Sequence, residues 1–262
     1  MSIVTFTTDF GWADGYVGAM KGVVLSRARG VTLVDICHEV PPQDVAAGAF
    51  ALAQAAPHFP PGTVHVAVVD PGVGGARAEV IVLAKNHLFV GPDNGLLTLV
   101  APRPDAIFAI ESPAFRRHPV SPTFHGRDVF APAAGLLAAG VPPEEAGRMM
   151  STLAPLANAV GAEADGHAHV VHVDHYGNVV TSLRQEALPP GARSVRMFVT
   201  RDEGPLPLQL PVRKTFADVD PDAALVYVGS AGLLEIAVRN GSAAARFGLR
   251  RGVNLSIEVI ET

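Results

Sequence analysis

The sequence predicts an α/β N-terminal domain built on a mainly parallel sheet, followed by a smaller, mostly-β, barrel-like C-terminal domain. Over roughly the first 150 residues, apolar runs rich in β-branched residues alternate with helix-period segments, which is the pattern of βαβ units. Residues 153–166 are rich in Ala and Gly and lack periodicity, so we assign them to a linker. Short strands separated by Gly and Pro turns dominate beyond it. The predicted domains therefore span residues 1–152 and 167–262.

The strands are predicted from short, β-branched apolar runs that turn residues bound. In the N-terminal domain they are residues 3–8, 31–37, 63–70, 79–84 and 106–111. In the C-terminal domain we predict short strands within residues 169–183, 194–200, 224–229 and 254–260. The helix expected in this second domain covers residues 233–247.

Helices are predicted between the strands of the N-terminal domain. Tyr16, Met20 and Val24 fall on one face of the first helix, as does the valine before Val24. The second helix covers residues 44–56 and opens with an aspartate that can cap it. The third follows Asp128, which we also expect to act as a cap, and extends to about residue 140.

Composition and charge favour a globular protein with a small-molecule partner. Hydrophobic residues make up 48% and charged residues 17%, which excludes a disordered chain. The net charge is −5 without a cluster of Lys and Arg, so a nucleic-acid partner is not expected. The single cysteine, Cys37, lies in an apolar run and is expected to be a buried, inert thiol. Because we find no signal peptide and no apolar run of about 18 residues, we expect a cytoplasmic protein without a membrane partner.

Polar loops follow predicted strands at the carboxyl edge of the sheet, where ligands bind in open α/β folds. Asp9 comes just after the first strand, and its carboxylate can hold a ribose diol or form a turn. The loop 70–77 only half-matches a phosphate-binding glycine motif, since an arginine occupies the third glycine position. Within that loop, Asp70 and Arg77 can form a charge-assisted pair.

Histidines supply two further candidate sites. His125 lies between Phe124 and Gly126, just before a predicted helix, and is a candidate for positioning a proton of the ligand. A second group raises the possibility of a metal site and comprises His167, His169, His172, Asp174 and His175. In a strand His169 and His172 would point to opposite faces, and no zinc-binding motif is present, so we favour structural roles.

Two turns in the C-terminal half complete the candidates. The first, residues 174–178, places Asp, Tyr and Asn around a glycine, and the second lies within residues 229–240. Such a turn can hold the charged groups of an amino acid or an aromatic base, or can simply reverse the chain. Spacing alone leaves both interpretations open.

Taken in order, these segments resemble the S-adenosylmethionine (SAM) hydroxide adenosyltransferase family, relatives of the SAM-dependent fluorinase and chlorinase. The resemblance covers essentially the whole chain. It rests on residues 8–11, 16–22, 35–38, 70–74, 91–95, 124–132, 176–179 and 232–238. The chain departs from the common pattern at Arg239, where many relatives carry Asn.

The resemblance implies SAM hydrolysis, by attack of water or hydroxide on C5′, to adenosine and L-methionine. It assigns Asp70, Arg77 and His125 to a water-handling triad. The substrate-binding positions it implies are Asp9 for the ribose hydroxyls, Phe124 and Gly126 beside the triad, Asp174, Asn178 and Ser230 for methionine, and Tyr176, Phe216 and the Asn240 backbone for adenine. It also implies a homotrimer with sites at subunit interfaces. We expect no cofactor and no metal.

Three alternatives remain at this stage. A SAM-dependent halogenase of the same fold is one, although halogenating relatives have changed the Asp and His positions of the triad. A non-catalytic SAM- or adenosine-binding protein is the second, and a metallohydrolase using the histidine group is the third.

Overall fold

The computed structural model describes residues 2–156, 167–200 and 204–261. The chain divides into two compact units, Met1–Ala159 and Val160–Thr262. The predicted linker at 153–166 lies mostly outside the described residues, which include only 153–156 of it. The predicted limits at residues 152 and 167 therefore stay predictions.

The first unit contains a mixed sheet. Its described strands are β1 (Ile3–Thr8), β2 (Thr32–Cys37), β3 (Val64–Val68), β4 (Glu79–Ala84), β5 (His87–Pro92) and β6 (Ala106–Ala109), in the order β2-β1-β3-β5-β4-β6. The pairs β1–β2, β1–β3 and β3–β5 are parallel, whereas β4 is antiparallel to both β5 and β6. The expectation of a mainly parallel sheet is thus met in part.

Strand β5 was missed by the sequence analysis. It forms a hairpin with β4 through Lys85 and Asn86, whose φ angles are +52° and +62°. A two-residue hairpin with positive φ at both central positions normally carries Asn-Gly or Asp-Gly. The Lys-Asn sequence lacks that signal, so only the first strand of the hairpin was predicted.

Helices cover both faces of this sheet. They are α1 (Tyr16–Arg27), α2 (Val45–Ala55) and α3 (Ala131–Ala138). Val66 and Val68 of β3 enter a core with α1 and α3, whereas Ala67 and Val69 enter another core with α2. Burial on both faces explains why β3 reads as a continuous apolar run. The aspartate before α2 caps it as predicted, accepting a hydrogen bond from the backbone N of Ala47 at 2.9 Å.

Asp128 does not cap a helix, contrary to the prediction. The helical backbone begins earlier, with a π-helical turn at Gly126–Phe130 that continues into α3, and Asp128 lies buried inside this turn. Its carboxylate accepts a hydrogen bond from Ser121 N at 3.0 Å and pairs with Arg127 at 2.7 Å and Arg117 at 3.2 Å. Asp128 therefore fixes the loop that precedes the turn.

The second unit contains an antiparallel, nearly closed, barrel-like sheet. Its described strands are β7 (His167–Val173), β8 (Val179–Arg184), β9 (Ser194–Val199), β10 (Leu206–Pro211), β11 (Ala224–Val228), β12 (Leu233–Val238) and β13 (Asn254–Glu261), in the order β10-β9-β13-β7-β8-β12-β11. A bridge between Val212 and Val226 joins the two edges. The barrel-like second domain was predicted, although β10 was not.

The helix predicted at residues 233–247 is wrong. Leu233–Val238 forms β12, and only Ala243–Phe247 forms a short helix, α4. Apolar residues fill nearly every position of β12, so their spacing fits a helix as well as a strand. Pairing with β8 on one side and β11 on the other decides for the strand. A smaller correction concerns Cys37, which is half-buried, not buried.

Candidate active site

A cleft lies at the carboxyl edge of the first sheet. Asp9 follows β1 and Asp70 lies two residues beyond the end of β3, and these two strands are parallel neighbours. The turn before α3 brings His125 to the same edge. The cleft has a volume of about 400 Å³ and is lined by Asp9, Phe10, Tyr16, Pro42, Gln43, Val68, Asp70, Pro71, Val73, Thr123, Phe124, His125 and Gly126.

The structure brings Asp70, Arg77 and His125 into one hydrogen-bonded group. Arg77 Nε donates to Asp70 Oδ1 at 3.0 Å and Arg77 Nη2 donates to Asp70 Oδ2 at 2.5 Å. The same Nη2 lies 2.9 Å from Nδ1 of His125. The side chains of Asp70, Arg77 and His125 are only 5%, 9% and 10% exposed, so water screens their charges weakly. A bidentate, buried ion pair of this kind holds the guanidinium in one orientation.

Glu79 belongs to the same group and was missed by the sequence analysis. Its Oε1 lies 2.8 Å from Arg77 Nη1 and 3.1 Å from His125 Nδ1, and its Oε2 accepts from Arg116 Nη2 at 3.0 Å. The available signal was the spacing of Arg77 and Glu79, because residues two apart in an extended chain lie on the same side. The contacts with His125 and Arg116 join distant segments and left no local signal.

A glycine explains how the two loops of this group meet. Gly74 has φ +75°, and a Cβ there would lie 2.5 Å from the carbonyl oxygen of Pro122. A side chain would therefore separate the loop 70–77 from the segment that carries His125. Glycine allows both the positive φ and the close backbone approach.

Burial and neighbouring charges set the protonation states. Burial lowers the pKa of His125, the Arg77 guanidinium lowers it further, and Glu79 and Asp70 offset only part of this. The imidazole is thus neutral at pH 7 and able to accept a proton. Burial alone would lower the pKa of Arg77, but its hydrogen bonds and charge interactions with Asp70 and Glu79 outweigh it and raise that pKa.

Asp9 faces the cleft from the end of β1. Its Oδ2 accepts a hydrogen bond from the backbone N of Gln43 at 2.8 Å, which fixes the carboxylate. Behind it, Thr8 Oγ1 lies 2.7 Å from Nδ1 of His38, and His38 Nε2 lies 2.9 Å from Asp35 Oδ1. This chain of polar contacts holds the end of β1 in place.

An aromatic group forms one wall of the cleft. Phe10, Tyr16 and Phe124 make edge-to-face contacts, with ring centroids 5.2 to 5.9 Å apart. Gly126 packs under this wall, where a Cβ would lie 3.1 Å from Met20 Sδ and 3.3 Å from two of the rings. The predicted positions Phe124 and Gly126 thus shape the cleft beside His125.

The predicted methionine-binding residues lie in the second unit. Asp174 Oδ1 accepts from the backbone N of Tyr176 at 2.9 Å and of Asn178 at 2.8 Å, and its Oδ2 accepts from Asn178 Nδ2 at 2.8 Å. These bonds build the turn between β7 and β8. Ser230 is exposed in the turn between β11 and β12.

The predicted adenine-binding residues also lie in this unit. Tyr176 and Phe216 are 76% and 40% exposed, so their rings are accessible to a ligand. Phe216 contacts Tyr227 edge-on, with ring centroids 5.0 Å apart. Asn240 is exposed and has φ +61° just after β12, and neighbouring Arg239 donates to Val219 O at 2.6 Å.

The histidine group of β7 does not assemble a metal site within the described residues. In that part of the chain, no three His, Cys, Asp or Glu side chains are arranged to hold a metal ion. The same part contains no helix with the length and apolar character that crossing a membrane requires.

The fold places a buried network of ionic groups and an imidazole beside a cleft at the carboxyl edge of an α/β sheet, an arrangement typical of enzymes that act on small molecules. The sequence matches the SAM hydroxide adenosyltransferase N-terminal domain over residues 4–147 and the C-terminal domain of the same family over residues 168–256. The chain belongs to the SAM hydroxide adenosyltransferase family.

Individual relatives agree with this assignment. The chain is 43% identical to an (R)-S-adenosyl-L-methionine hydrolase of Thermus thermophilus, covering 97% of this chain and 98% of that protein. It is 44% identical to a protein of the same name from Salinispora tropica, with 97% of each covered. A fluorinase of Nocardia brasiliensis is more distant, at 31% identity over 98% of this chain and 97% of that one. Among solved structures, an uncharacterized conserved protein from Thermotoga maritima superimposes with a TM-score of 0.90 at 35% identity, covering 97% of this chain and 100% of that one.

Proposed function

We propose that this protein hydrolyses S-adenosylmethionine, with water or hydroxide attacking C5′ of the ribose to give adenosine and L-methionine. One observation carries the proposal, namely the buried group of Asp70, Arg77 and His125 at the cleft. The two relatives named above as hydrolases align over 97% of the chain and support the same reaction.

The chemistry explains why such a group is needed. The sulfonium makes methionine a good leaving group, so the C5′–S bond breaks with its electron pair going to sulfur and without protonation. Bulk water has a pKa near 15.7, so the nucleophile is the difficult partner. In the proposed mechanism Arg77 stabilises hydroxide character, neutral His125 orients the water or accepts its proton, and Asp70 holds Arg77. No cofactor or metal enters these steps, and SAM is the substrate.

The substrate positions follow the same proposal. Asp9 holds the ribose hydroxyls beside Phe124 and Gly126. In the second unit Asp174, Asn178 and Ser230 bind methionine, and Tyr176, Phe216 and the Asn240 backbone bind adenine. The exposed rings of Tyr176 and Phe216 support this assignment, since stacking on a purine would cover them.

The names of the relatives also specify the R configuration at the sulfonium. We extend this preference to the present chain. The test is incubation with each purified sulfonium epimer, in buffers with chloride, with fluoride or with neither, followed by chromatography. Adenosine and methionine, formed faster from the R epimer and at the same rate in every buffer, are the expected products. A 5′-haloadenosine would identify a halogenase instead, and unchanged SAM would identify a binding protein.

We further propose a homotrimer in which the first unit of one subunit and the second unit of the next complete each site. Mixing inactive His125→Ala chains with inactive Asp174→Ala chains, after dissociation and reassembly, should restore part of the activity. A light-scattering measurement that finds an active monomer would contradict this arrangement. The cytoplasmic location stays a prediction.

A further inference from the structure

Glu79 occupies a central place among the charged side chains of the site. Its two carboxylate oxygens contact three different partners, with Oε1 against Arg77 and His125 and Oε2 against Arg116. The side chain is 16% exposed. A carboxylate this buried costs free energy unless its partners compensate for the lost hydration, and here two guanidinium groups do so.

Arg116 ties this carboxylate to the body of the first unit. Its Nε donates to the carbonyl oxygen of Ile110 at 3.1 Å, and its Nη2 contacts the same oxygen. Ile110 directly follows β6 and is buried. Glu79, through Arg116, therefore connects the loop 70–77 to the buried segment that follows β6.

The charges of the group balance only when Glu79 is ionised. Arg77 and Arg116 carry two positive charges, and Asp70 and Glu79 carry two negative ones. The sum is zero with neutral His125. Without the charge of Glu79 the group would be positive even before His125 takes up a proton, so proton acceptance would become harder.

The position of Glu79 also bears on the orientation of His125. Nδ1 of His125 lies between a donor, Arg77 Nη2 at 2.9 Å, and an acceptor, Glu79 Oε1 at 3.1 Å. A proton on Nδ1 can be donated to Glu79 Oε1, which leaves Nε2 unprotonated and able to accept a proton from water. The ring can then gain that proton at Nε2 while Nδ1 keeps its hydrogen bond to Glu79, so it does not have to turn.

We propose that Glu79 is a positioning residue of the hydrolase, which fixes Arg77 and lets His125 change protonation state in place. The inference rests on the proposed function and extends it by one residue outside the triad. Its mechanism acts through Arg77 and His125, so removing the charge should change turnover and not SAM binding.

The test compares the parent chain with Glu79→Gln and Arg116→Gln. In Glu79→Gln we expect kcat to fall about 10- to 100-fold, because the reacting groups are then misplaced, while KM for SAM stays within about threefold.

The pH profile of kcat/KM, recorded from about pH 5 to pH 9, gives a second measurement. The charged groups around His125 are Asp70, Arg77, Glu79 and Arg116. Losing Glu79 should move the acid limb to lower pH, and losing Arg116 should move it to higher pH.

The matched control is Glu111→Gln, which breaks an exposed ion pair with Arg148 in the same unit. It should leave kcat, KM and the pH profile unchanged. The inference is overturned if Glu79→Gln keeps the kcat of this control, or if the two acid limbs fail to move in opposite directions. If Glu79→Gln does not fold, an unmoved acid limb in Arg116→Gln overturns it. A parent chain that releases no adenosine from SAM contradicts the proposed function itself, and the inference then falls with it.

Discussion

Two buried histidines of the first unit, His65 and His125, lie in different surroundings. His65 lies in β3 with no exposed surface, and its ring stacks on Phe89 with centroids 5.0 Å apart. Its Nδ1 lies 2.7 Å from Thr5 Oγ1, and its Nε2 lies 3.3 Å from Nδ1 of His87. His125 instead borders the cleft and meets a guanidinium and a carboxylate.

These two histidines have pKa shifts in the same direction but different surroundings. Burial is the largest cause of a lowered pKa at both histidines, and at His65 it brings the pKa to about 3. A perturbed pKa therefore does not distinguish the two. The distinction lies in the surroundings, because His125 has ionic partners and access to a cleft, whereas His65 has a hydroxyl, a second imidazole and aromatic rings.

The largest expected effect is a loss of turnover when a side chain of the His125 group is removed. His125→Ala and Asp70→Ala should each lower kcat by about 10²- to 10⁴-fold, the range for a positioned proton-transfer group, while SAM affinity by calorimetry changes only a few-fold. If the three side chains act as a unit, the double variant should lose little more than the worse single variant. Single variants that keep near-normal kcat, or that lose only affinity, would show that the triad is wrongly assigned.

The second prediction concerns His65 and stability. Its pKa in the folded chain is about 3, below the ordinary value of 6.5, so the unfolded chain binds the extra proton between these values. The contribution of His65 is complete above pH 6.5 and is lost as the pH falls toward 3. The free energy of unfolding should then decrease by up to about 1.4 kcal/mol per pH unit for this one group.

Urea unfolding of the parent and of His65→Gln at several pH values checks this. The variant, which cannot titrate at that position, should show a shallower fall of stability with decreasing pH. Its kcat at neutral pH should match the parent once folding is accounted for. Equal slopes would contradict the buried, neutral state of His65, and a large loss of kcat would contradict the contrast with His125.

A smaller effect separates binding from chemistry within the cleft. If Asp9 grips the ribose equally in the ground and transition states, Asp9→Ala should raise KM about 10- to 100-fold and change kcat little, since a hydrogen bond to a charged group contributes about 1.5–3 kcal/mol. Steady-state kinetics over a range of SAM concentrations, from well below KM to saturation, provides the measurement. A variant with normal KM and a strongly reduced kcat would move Asp9 into the chemical step.

Removal of metal ions is expected to have no effect on the activity. Exhaustive chelation followed by assay should leave the activity intact, because the proposed mechanism uses only the ions of the protein itself. A loss of activity that one particular divalent metal restores would require a metal in the mechanism, and the histidines of β7 would then be the first place to look.

The sequence predicted most of the strands of the first unit because burial on both sheet faces leaves continuous β-branched runs such as β3. It failed where tertiary pairing overrides local pattern. The hairpin at Lys85 and Asn86 uses positive φ angles without glycine, and residues 233–238 pair as a strand although their spacing also fits a helix. Asp128 was placed correctly near a helix start, but its burial among arginines is a long-range property.

The site was predictable where a single loop carries the interacting groups. Asp70 and Arg77 lie in one short loop, and their pairing follows from charge and proximity. The contact of Arg77 with His125 spans 48 positions, and the family resemblance supplied it, not spacing. Glu79 escaped notice because its partners Arg116 and His125 come from segments that only the folded chain brings together.

The most direct test of the central claim follows the oxygen atom. With SAM as substrate in ¹⁸O-labelled water, the heavy oxygen should enter the 5′-hydroxyl of adenosine, and methionine should remain unlabelled, because water attacks C5′ and sulfur departs with the electron pair. Mass spectrometry of both products gives the result. Label in neither product, or release of adenine or S-adenosylhomocysteine as the main product, would contradict the account.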